Sequence, residues 1–394
     1  MKQQTEKQPD NPASGNRTAD TRTARRSARL ILEDGTEFSG WSFGKARSQA
    51  GEVVFASVMT GFPLTLTDPG YRGQILVSSY PIVSDSTVPV NPKTGEVTLD
   101  GYGLPLQLES GAIQISGFAV SEICEEPKTE AQGITISDWL EKSNVPGIYG
   151  IDTRELVQRL RNQGIMRGKI LVEGSRDVTL DSGTAASPAD EVSVKEIVTY
   201  QPAGTKKAPY KIALIDCGVK ADIIRCLLDR NAQVIRLPWN HDPMETDFDG
   251  LVISGGPGDP KTFGRTIAAI RHAFDLKKPI FGTGSGCAIM ALAAGADIYR
   301  LPFGHRSCSQ PSMEQGTSRC YVTTQNHGHA VRAESLPKGW EIWFTNGNDN
   351  TVEGIRSSRH PFSAVQFQPE GCPGPRDTEF LFDRFLDQVK EAKK

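Results

Sequence analysis

The stretch Pro279-Ile-Phe-Gly282-Thr-Gly284-Ser-Gly286 decides the fold. A short apolar run ends in glycines spaced G-x-Nu-x-G, the pattern of a sharp strand-to-helix turn that exposes its central side chain. Working backward, Lys211-Ile-Ala-Leu-Ile-Asp216, Ala232-Gln-Val-Ile-Arg-Leu237 and Gly250-Leu-Val-Ile-Ser254 read as strands. Helical stretches over 220–230 and 265–276 separate them. Strands alternating with helices predict an α/β fold with a parallel sheet covered on both faces. Working forward, Arg319-Cys-Tyr-Val-Thr323, Glu341-Ile-Trp-Phe344 and Ser363-Ala-Val-Gln-Phe367 add strands, and a closing helix is expected over 378–390.

The N-terminal half has a different rhythm. Ala28-Arg-Leu-Ile-Leu32 runs into Asp34-Gly35 as a strand entering a tight turn. Glu52-Val-Val-Phe55, Gln74-Ile-Leu-Val77 and Gly117-Phe-Ala-Val120 are further short strands. Helices are predicted over 136–143 and 153–162, with Asp152 as N-cap of the second. Residues 91–105 are turn-rich and read as an exposed hairpin. The expected organisation is a disordered tail (1–27), a mixed, strand-rich domain (28–176), a Ser/Thr/Ala/Asp/Pro linker (177–207) and the α/β domain (208–394).

The chain has 394 residues and a formal net charge of -3. That balance gives no electrostatic reason for nucleic acid or an anionic membrane as partner, and neither is expected. No run approaches the ~18 apolar residues of a membrane span. Arg22, Arg25, Arg26 and Arg29 faintly suggest a transit peptide, but Glu6, Asp10 and Asp20 argue against one. Seven irregularly spaced cysteines without a CxxC pair read as reduced thiols in a cytoplasmic protein. Cys308, Cys320, His305 and His327 have metal-ligand chemistry, but scattered buried thiols are the simpler reading. No metal is expected.

Ligands in open α/β sheets gather at the carboxyl ends of the strands. Three segments fall there: Gly255-Gly-Pro-Gly258-Asp-Pro260, Gly282 to Gly286, and Gln368-Pro-Glu370. A cysteine at the centre of the turn would sit at a helix N-terminus, which favours the thiolate. The centre is Gly284, which offers no nucleophile.

Taken in order, the chain carries Leu32-Glu-Asp-Gly-Thr36, Gly51-Glu-Val-Val-Phe55, Met59-Thr-Gly-Phe62 and Leu66-Thr-Asp-Pro-Gly-Tyr71. Then follow Gly147-Ile-Tyr-Gly-Ile-Asp-Thr-Arg154 and Asp216-Cys-Gly-Val-Lys220. The second half adds Ser254-Gly-Gly-Pro-Gly-Asp-Pro260, Thr324-Gln-Asn-His-Gly328 and Pro369-Glu-Gly-Cys-Pro-Gly-Pro375. From about residue 28 to 390 this order resembles the small subunit of carbamoyl phosphate synthase. The second half alone resembles only a class I glutamine amidotransferase.

The resemblance implies a division of labour. The small subunit hydrolyses glutamine, and ammonia passes through a tunnel to a large synthetase subunit. That subunit binds ATP and Mg and makes carbamoyl phosphate for arginine and pyrimidine synthesis. No cofactor is implied for this chain. The implied partners are the large subunit, as a heterodimer, and glutamine or another small carboxylate.

The family's nucleophile falls on Gly284, its histidine base on Gln368 and the carboxylate that orients the base on Glu370. Glutamine-holding positions match at Gly256, Gly258, Asn326 and Gly328. They depart at Gly70, where the family has serine, and at Ser285, Ala288 and His329, where it has leucine, glutamine and phenylalanine.

Amide hydrolysis by this route needs a thiolate and a base for its proton. A carboxamide at 368 does not titrate near neutral pH. The expectation is a small-subunit homologue without glutaminase activity. Two alternatives stand beside it: a non-catalytic binding or regulatory protein, and a glutaminase with Cys287 as displaced nucleophile and His327 or His329 as base. Cys287 lies one helical turn on, displaced by roughly 4.5 Å. Among single residues, Asp216 reads equally as turn cap or ligand contact. Lys220 and Arg225 read as solvated or partner-facing, Asp152 and Arg154 as local caps and pairs, and Trp340 and Trp343 as packing.

Overall fold

The computed structural model describes residues 25–83, 88–91, 93–123, 134–181, 188–204 and 208–394. Most of the expected tail therefore lies outside the described residues, and a strand already begins at Ser27.

In the first domain, β1 (Ser27–Leu32) buries Ala28, Leu30 and Leu32 and leaves the residues between them more exposed, as a half-buried strand must. It is followed by β2 (Glu37–Gly44), β3 (Gln49–Ala56), the short helix α1 (Phe62–Leu66), β4 (Gln74–Ser78) and β5 (Ile82–Val83). Then come β6 (Gly117–Ala119), β7 (Glu122–Ile123), α2 (Ile136–Lys142), β8 (Pro146–Tyr149), α3 (Thr153–Gln163) and β9 (Met166–Val172). Seven strands close a barrel in the order β1-β2-β8-β6-β4-β3-β9, while β5 and β7 pair separately. Leu30, Val53, Ile75, Ile148 and Ile170 belong to its core. On α3, Leu156 and Leu160 are buried one turn apart, and Asp152 Oδ1 accepts the Glu155 N–H at 2.9 Å, the expected N-cap.

The second domain opens with α4 (Pro188–Val192), β10 (Val198–Tyr200), β11 (Tyr210–Asp216), α5 (Ala221–Leu228), β12 (Ala232–Pro238) and β13 (Gly250–Ile253). It continues with α6 (Gly264–Asp275), β14 (Ile280–Thr283), α7 (Ser285–Ala294), β15 (Ile298–Glu314) and β16 (Cys320–Val331). It ends with β17 (Trp340–Asn346), β18 (Val352–Ser357), β19 (Phe362–Val365) and α8 (Phe380–Ala392). The sheet has ten strands in the order β10-β12-β11-β13-β14-β19-β18-β16-β15-β17. Only β12-β11-β13-β14-β19 are mutually parallel. The expected parallel sheet is thus its central part. The rest is antiparallel, and β15 and β16 are joined by a short turn with no crossover helix between them.

Two further expectations change. The stretch 177–207 contains α4 and β10, and β10 is the edge strand of the second sheet. The turn-rich excursion over 91–105 leaves Leu99 exposed but reaches across the domains. Leu104 is buried in the second domain's core with Leu214, Leu381 and Phe382, and Arg225 Nε donates to Asp100 Oδ2 at 2.8 Å. Apolar residues scattered among turn formers carry no periodicity to announce such a contact.

Candidate functional site

The turn after β14 has the geometry that its glycines predict. Gly284 is the N-cap of α7 with φ 56° and ψ -129°, a conformation that costs residues with a Cβ. A Cβ there would lie 3.3 Å from Gly255 Cα, against the loop after β13. The exposing turn persists without a side chain to expose. At Gly256 the constraint is contact: a Cβ would meet Cys217 O at 1.9 Å.

Gln368 follows β19 and is tied at both ends. Lys220 Nζ donates to its Oε1 at 3.1 Å, and its Nε2 donates to Asp68 Oδ2 at 3.1 Å. Asp68 also accepts from Asn326 Nδ2 at 2.9 Å and from the Gly70 N–H at 2.8 Å. Lys220 donates to Cys372 O at 2.6 Å and forms ion pairs with Glu370 at 2.9 Å and Glu109 at 3.2 Å. The chain of contacts runs from Glu109 through Lys220 and Gln368 to Asp68, crossing between the domains twice.

Lys220 is therefore not a solvated helix residue, as its sequence position suggested, but 4% exposed. It sits at the N-cap of α5, where the backbone is extended and helical-face reasoning does not apply. Arg225 is half-buried, paired with Asp100 and Asp222.

Burial pushes the Glu109 carboxyl up to about 8, with Lys220 opposing, and raises Glu370 in the same way. Burial disfavours the Lys220 ammonium, but Glu109 and Glu370 outweigh it and hold the amine well above its ordinary value. Two carboxyls and one ammonium share the enclosure, so near neutral pH the lysine is charged and the carboxyl pair retains a proton.

All eight positions that the resemblance assigns to glutamine, Gly70, Gly256, Gly258, Ser285, Ala288, Asn326, Gly328 and His329, line one cavity of about 390 Å³. Glu52, Gln74 and Ile165 of the first domain also line it. Ser285 Oγ donates to Gly256 O at 3.0 Å, so its hydroxyl is committed to the loop. Burial lowers the His329 pKa, with Asp259 opposing from 3.8 Å. Arg306, unremarked in the sequence, also lines the cavity and is 7% exposed. Its Nη1 donates to Phe303 O at 2.7 Å, while its Nε has no hydrogen-bond partner among the described residues.

Cys287 faces away from this chemistry. It is fully buried in the core beside Ile289 and Ile355 and does not line the cavity. Burial, and then the charge of Glu353, push its thiol pKa up, against thiolate formation. The next helical turn points Cys287 inward where the elbow residue points out, which removes the geometric basis of the displaced-nucleophile expectation. His327 Nδ1 lies 2.9 Å from His329 O, a structural contact. Asp216 caps its turn, accepting from the Gly218 and Val219 N–H groups. Trp340 stacks on Phe362 and Trp343 is buried against Phe344. Cys320 is exposed at the far end of the hairpin, and neither it nor Cys308 joins the buried histidines.

Sequence reading missed Glu109, Asp68, Lys220 and Arg306 as site residues. Asp68 and Lys220 lie within motifs already quoted, Leu66 to Tyr71 and Asp216 to Lys220, so that signal was available.

Two family models match the chain: the carbamoyl-phosphate synthase small chain, CPSase domain, over residues 30–170, and glutamine amidotransferase class-I over 213–388. The carbamoyl phosphate synthase small chain of Pyrococcus furiosus is 38% identical over 378 residues, covering 93% of this chain and 98% of that one. The mitochondrial carbamoyl-phosphate synthase (ammonia) of Homo sapiens is 40% identical over 369 residues, covering 93% of this chain and 24% of that one. The multifunctional protein pyr1-3 of Dictyostelium discoideum is 40% identical over 381 residues, covering 93% and 17%. The chain thus spans a quarter or less of these two longer relatives.

Proposed function

The chain belongs to the carbamoyl phosphate synthase small-chain family, and from that premise we propose that it serves a synthetase without hydrolysing glutamine itself. It docks on a large synthetase subunit and supports carbamoyl phosphate synthesis from ammonia in the cytoplasm, for arginine or pyrimidine synthesis. ATP and Mg are held by the large subunit.

One observation carries this reading: the positions that the resemblance assigns to nucleophile and base hold Gly284 and Gln368, and both ends of the Gln368 amide are already bonded. Hydrolysis by this route begins with thiolate attack on the amide carbonyl and needs a group that takes and returns a proton. Gly284 has no side chain for the first task. Gln368 has no titration for the second. Glu370, which would orient an imidazole, instead faces the Lys220 ammonium. Loss of one member of such a unit removes several orders of magnitude in rate, and loss of the second adds little more. The human relative, whose name specifies ammonia, supports the same donor for this chain.

The test is carbamoyl phosphate synthesis by the purified complex with each nitrogen donor. Ammonia should sustain turnover and glutamine should not. Glutamine-driven turnover that depends on this chain refutes the proposal.

The cavity supports a second reading, in which the chain binds glutamine or another small carboxylate as a regulator. Its motivation is Arg306, a buried guanidinium on the cavity wall with no carboxylate paired to it among the described residues. A charged group so enclosed gains from an anionic ligand. Calorimetric titration with L-glutamate and L-glutamine checks it: heats that vanish in Arg306→Gln support binding, and no heat from the unaltered chain rejects it.

A further inference from the structure

Behind the cavity wall, three neighbouring strands bring four buried donors together. His305 lies on β15, Gln325 and His327 on β16, and Glu353 on β18. His305 and His327 are register partners, and Gln325 is two residues from His327, hence on the same face. Their exposures are 7%, 1%, 6% and 0% for His305, Gln325, His327 and Glu353. The sequence pointed to these two histidines with Cys308 and Cys320. The fold supplies a carboxylate and a carboxamide in place of the thiols.

The separations suit a coordination shell as well as they suit hydrogen bonds. His305 Nδ1 is 3.0 Å from Glu353 Oε1 and 3.0 Å from Gln325 Oε1. His327 Nε2 is 3.1 Å from Gln325 Oε1 and 3.5 Å from Glu353 Oε2. A tetrahedral ion with bonds of about 2.0–2.1 Å sets its donors roughly 3.3 Å apart.

Each imidazole also turns its other nitrogen to an acceptor. His305 Nε2 lies 2.9 Å from Asp349 Oδ2, and His327 Nδ1 lies 2.9 Å from His329 O. An imidazole that donates there presents its inner nitrogen, His305 Nδ1 or His327 Nε2, as a lone pair toward the carboxylate and carboxamide oxygens, and Asn346 Nδ2 lies 3.3 Å from His305 Nδ1. Carboxylate or carbonyl behind a ligating histidine is the usual outer arrangement of a metal site.

The remaining groups agree. Gln325 Nε2 donates to Ser312 Oγ and Thr323 Oγ1, aiming its oxygen inward, and Asn346 Nδ2 donates to Glu353 Oε1 at 3.2 Å. Glu353 Oε2, fully buried, has no hydrogen-bond partner among the described residues. Converging lone pairs in an enclosed site need either a cation or extra protons.

We propose that the protein holds a divalent first-row transition ion, Zn²⁺ as reference, between His305 Nδ1, His327 Nε2, Glu353 and Gln325 Oε1. With four protein donors the site is closed and structural. It ties the segment carrying Asn326, Gly328 and His329, one wall of the cavity, to β18. The inference does not rest on the proposed function.

The test uses the full chain, freed of metal by chelator, and titrated with Co²⁺ and Zn²⁺. Cobalt should bind at one equivalent with the intense ligand-field absorption of a tetrahedral nitrogen/oxygen site, zinc should displace it, and zinc should raise the thermal midpoint. Asp349→Asn, which spares all four donors, should weaken cobalt binding by about 10–100-fold. Glu353→Gln should abolish the spectrum.

Three outcomes overturn the proposal. Failure of the unaltered chain to take up cobalt assigns the cluster to hydrogen bonds among these side chains alone. A cobalt–thiolate charge-transfer band places the ion instead at the other buried group, Glu109, Asp222 and Cys372. A spectrum that survives in folded Glu353→Gln does the same for any site elsewhere.

Discussion

Glu109 offers the sharpest test of the buried charge cluster. Its carboxyl rises from the ordinary 4.5 to about 8 because burial outweighs the Lys220 ammonium beside it. Between those values the folded chain keeps a proton that the unfolded chain has released. Stability from this group is therefore full below pH 4.5 and is lost as pH rises through 8. At about 1.36 kcal/mol per pH unit, the window from about pH 5.5 to 8 is worth roughly 3 kcal/mol.

Glu109→Gln imitates the protonated acid in shape and charge, and leaves Lys220 paired with Glu370. Near pH 5.5 the variant should match the unaltered chain within about 1 kcal/mol, the usual cost of one altered hydrogen bond. Near pH 9 it should be the more stable by roughly 3 kcal/mol. Urea unfolding midpoints of both chains across this range are the assay. Equal pH slopes, or a large loss in the variant already at pH 5.5, refute the assignment of the retained proton to Glu109.

Lys220→Met leaves Glu109 and Glu370 buried without their cation and should cost about 3–5 kcal/mol, read as a lowered urea midpoint. Gly284→Ala forces a Cβ into a φ of 56° and against Gly255, so it should destabilise by about 1 kcal/mol or more, with helix content unchanged by circular dichroism. Iodoacetamide should modify exposed Cys320 in the native chain but reach Cys287 only after unfolding, which peptide mass spectrometry resolves. Gly284→Cys with Gln368→His supplies the thiol and imidazole that the proposed function finds missing. Any glutaminase activity should need both, as assayed by glutamate release.

How much was legible follows from the range of each interaction. The turn at 282–286 and the Asp152 cap are local, spelled out within a few residues, and the structure has both. The central strands show as apolar runs because both of their faces are buried. The long β15 was missed because Pro302 and Pro311, and register shifts between Arg300 and His305 and between Ser307 and Gln310, break its alternation. Lys220 was misassigned because its partners Glu109 and Glu370 are more than a hundred residues away in sequence. Cys287 was placed near the elbow by helical spacing, which gives a distance along the axis but does not say which side of the helix the sheet covers.

The excursion bearing Leu104 gives the second domain's core a side chain that its own sequence does not encode. A gene segment for either half alone would inherit a defect: a leucine-sized hole in one product, a stranded apolar loop in the other. Recombination that separates the halves is penalised before any question of catalysis arises.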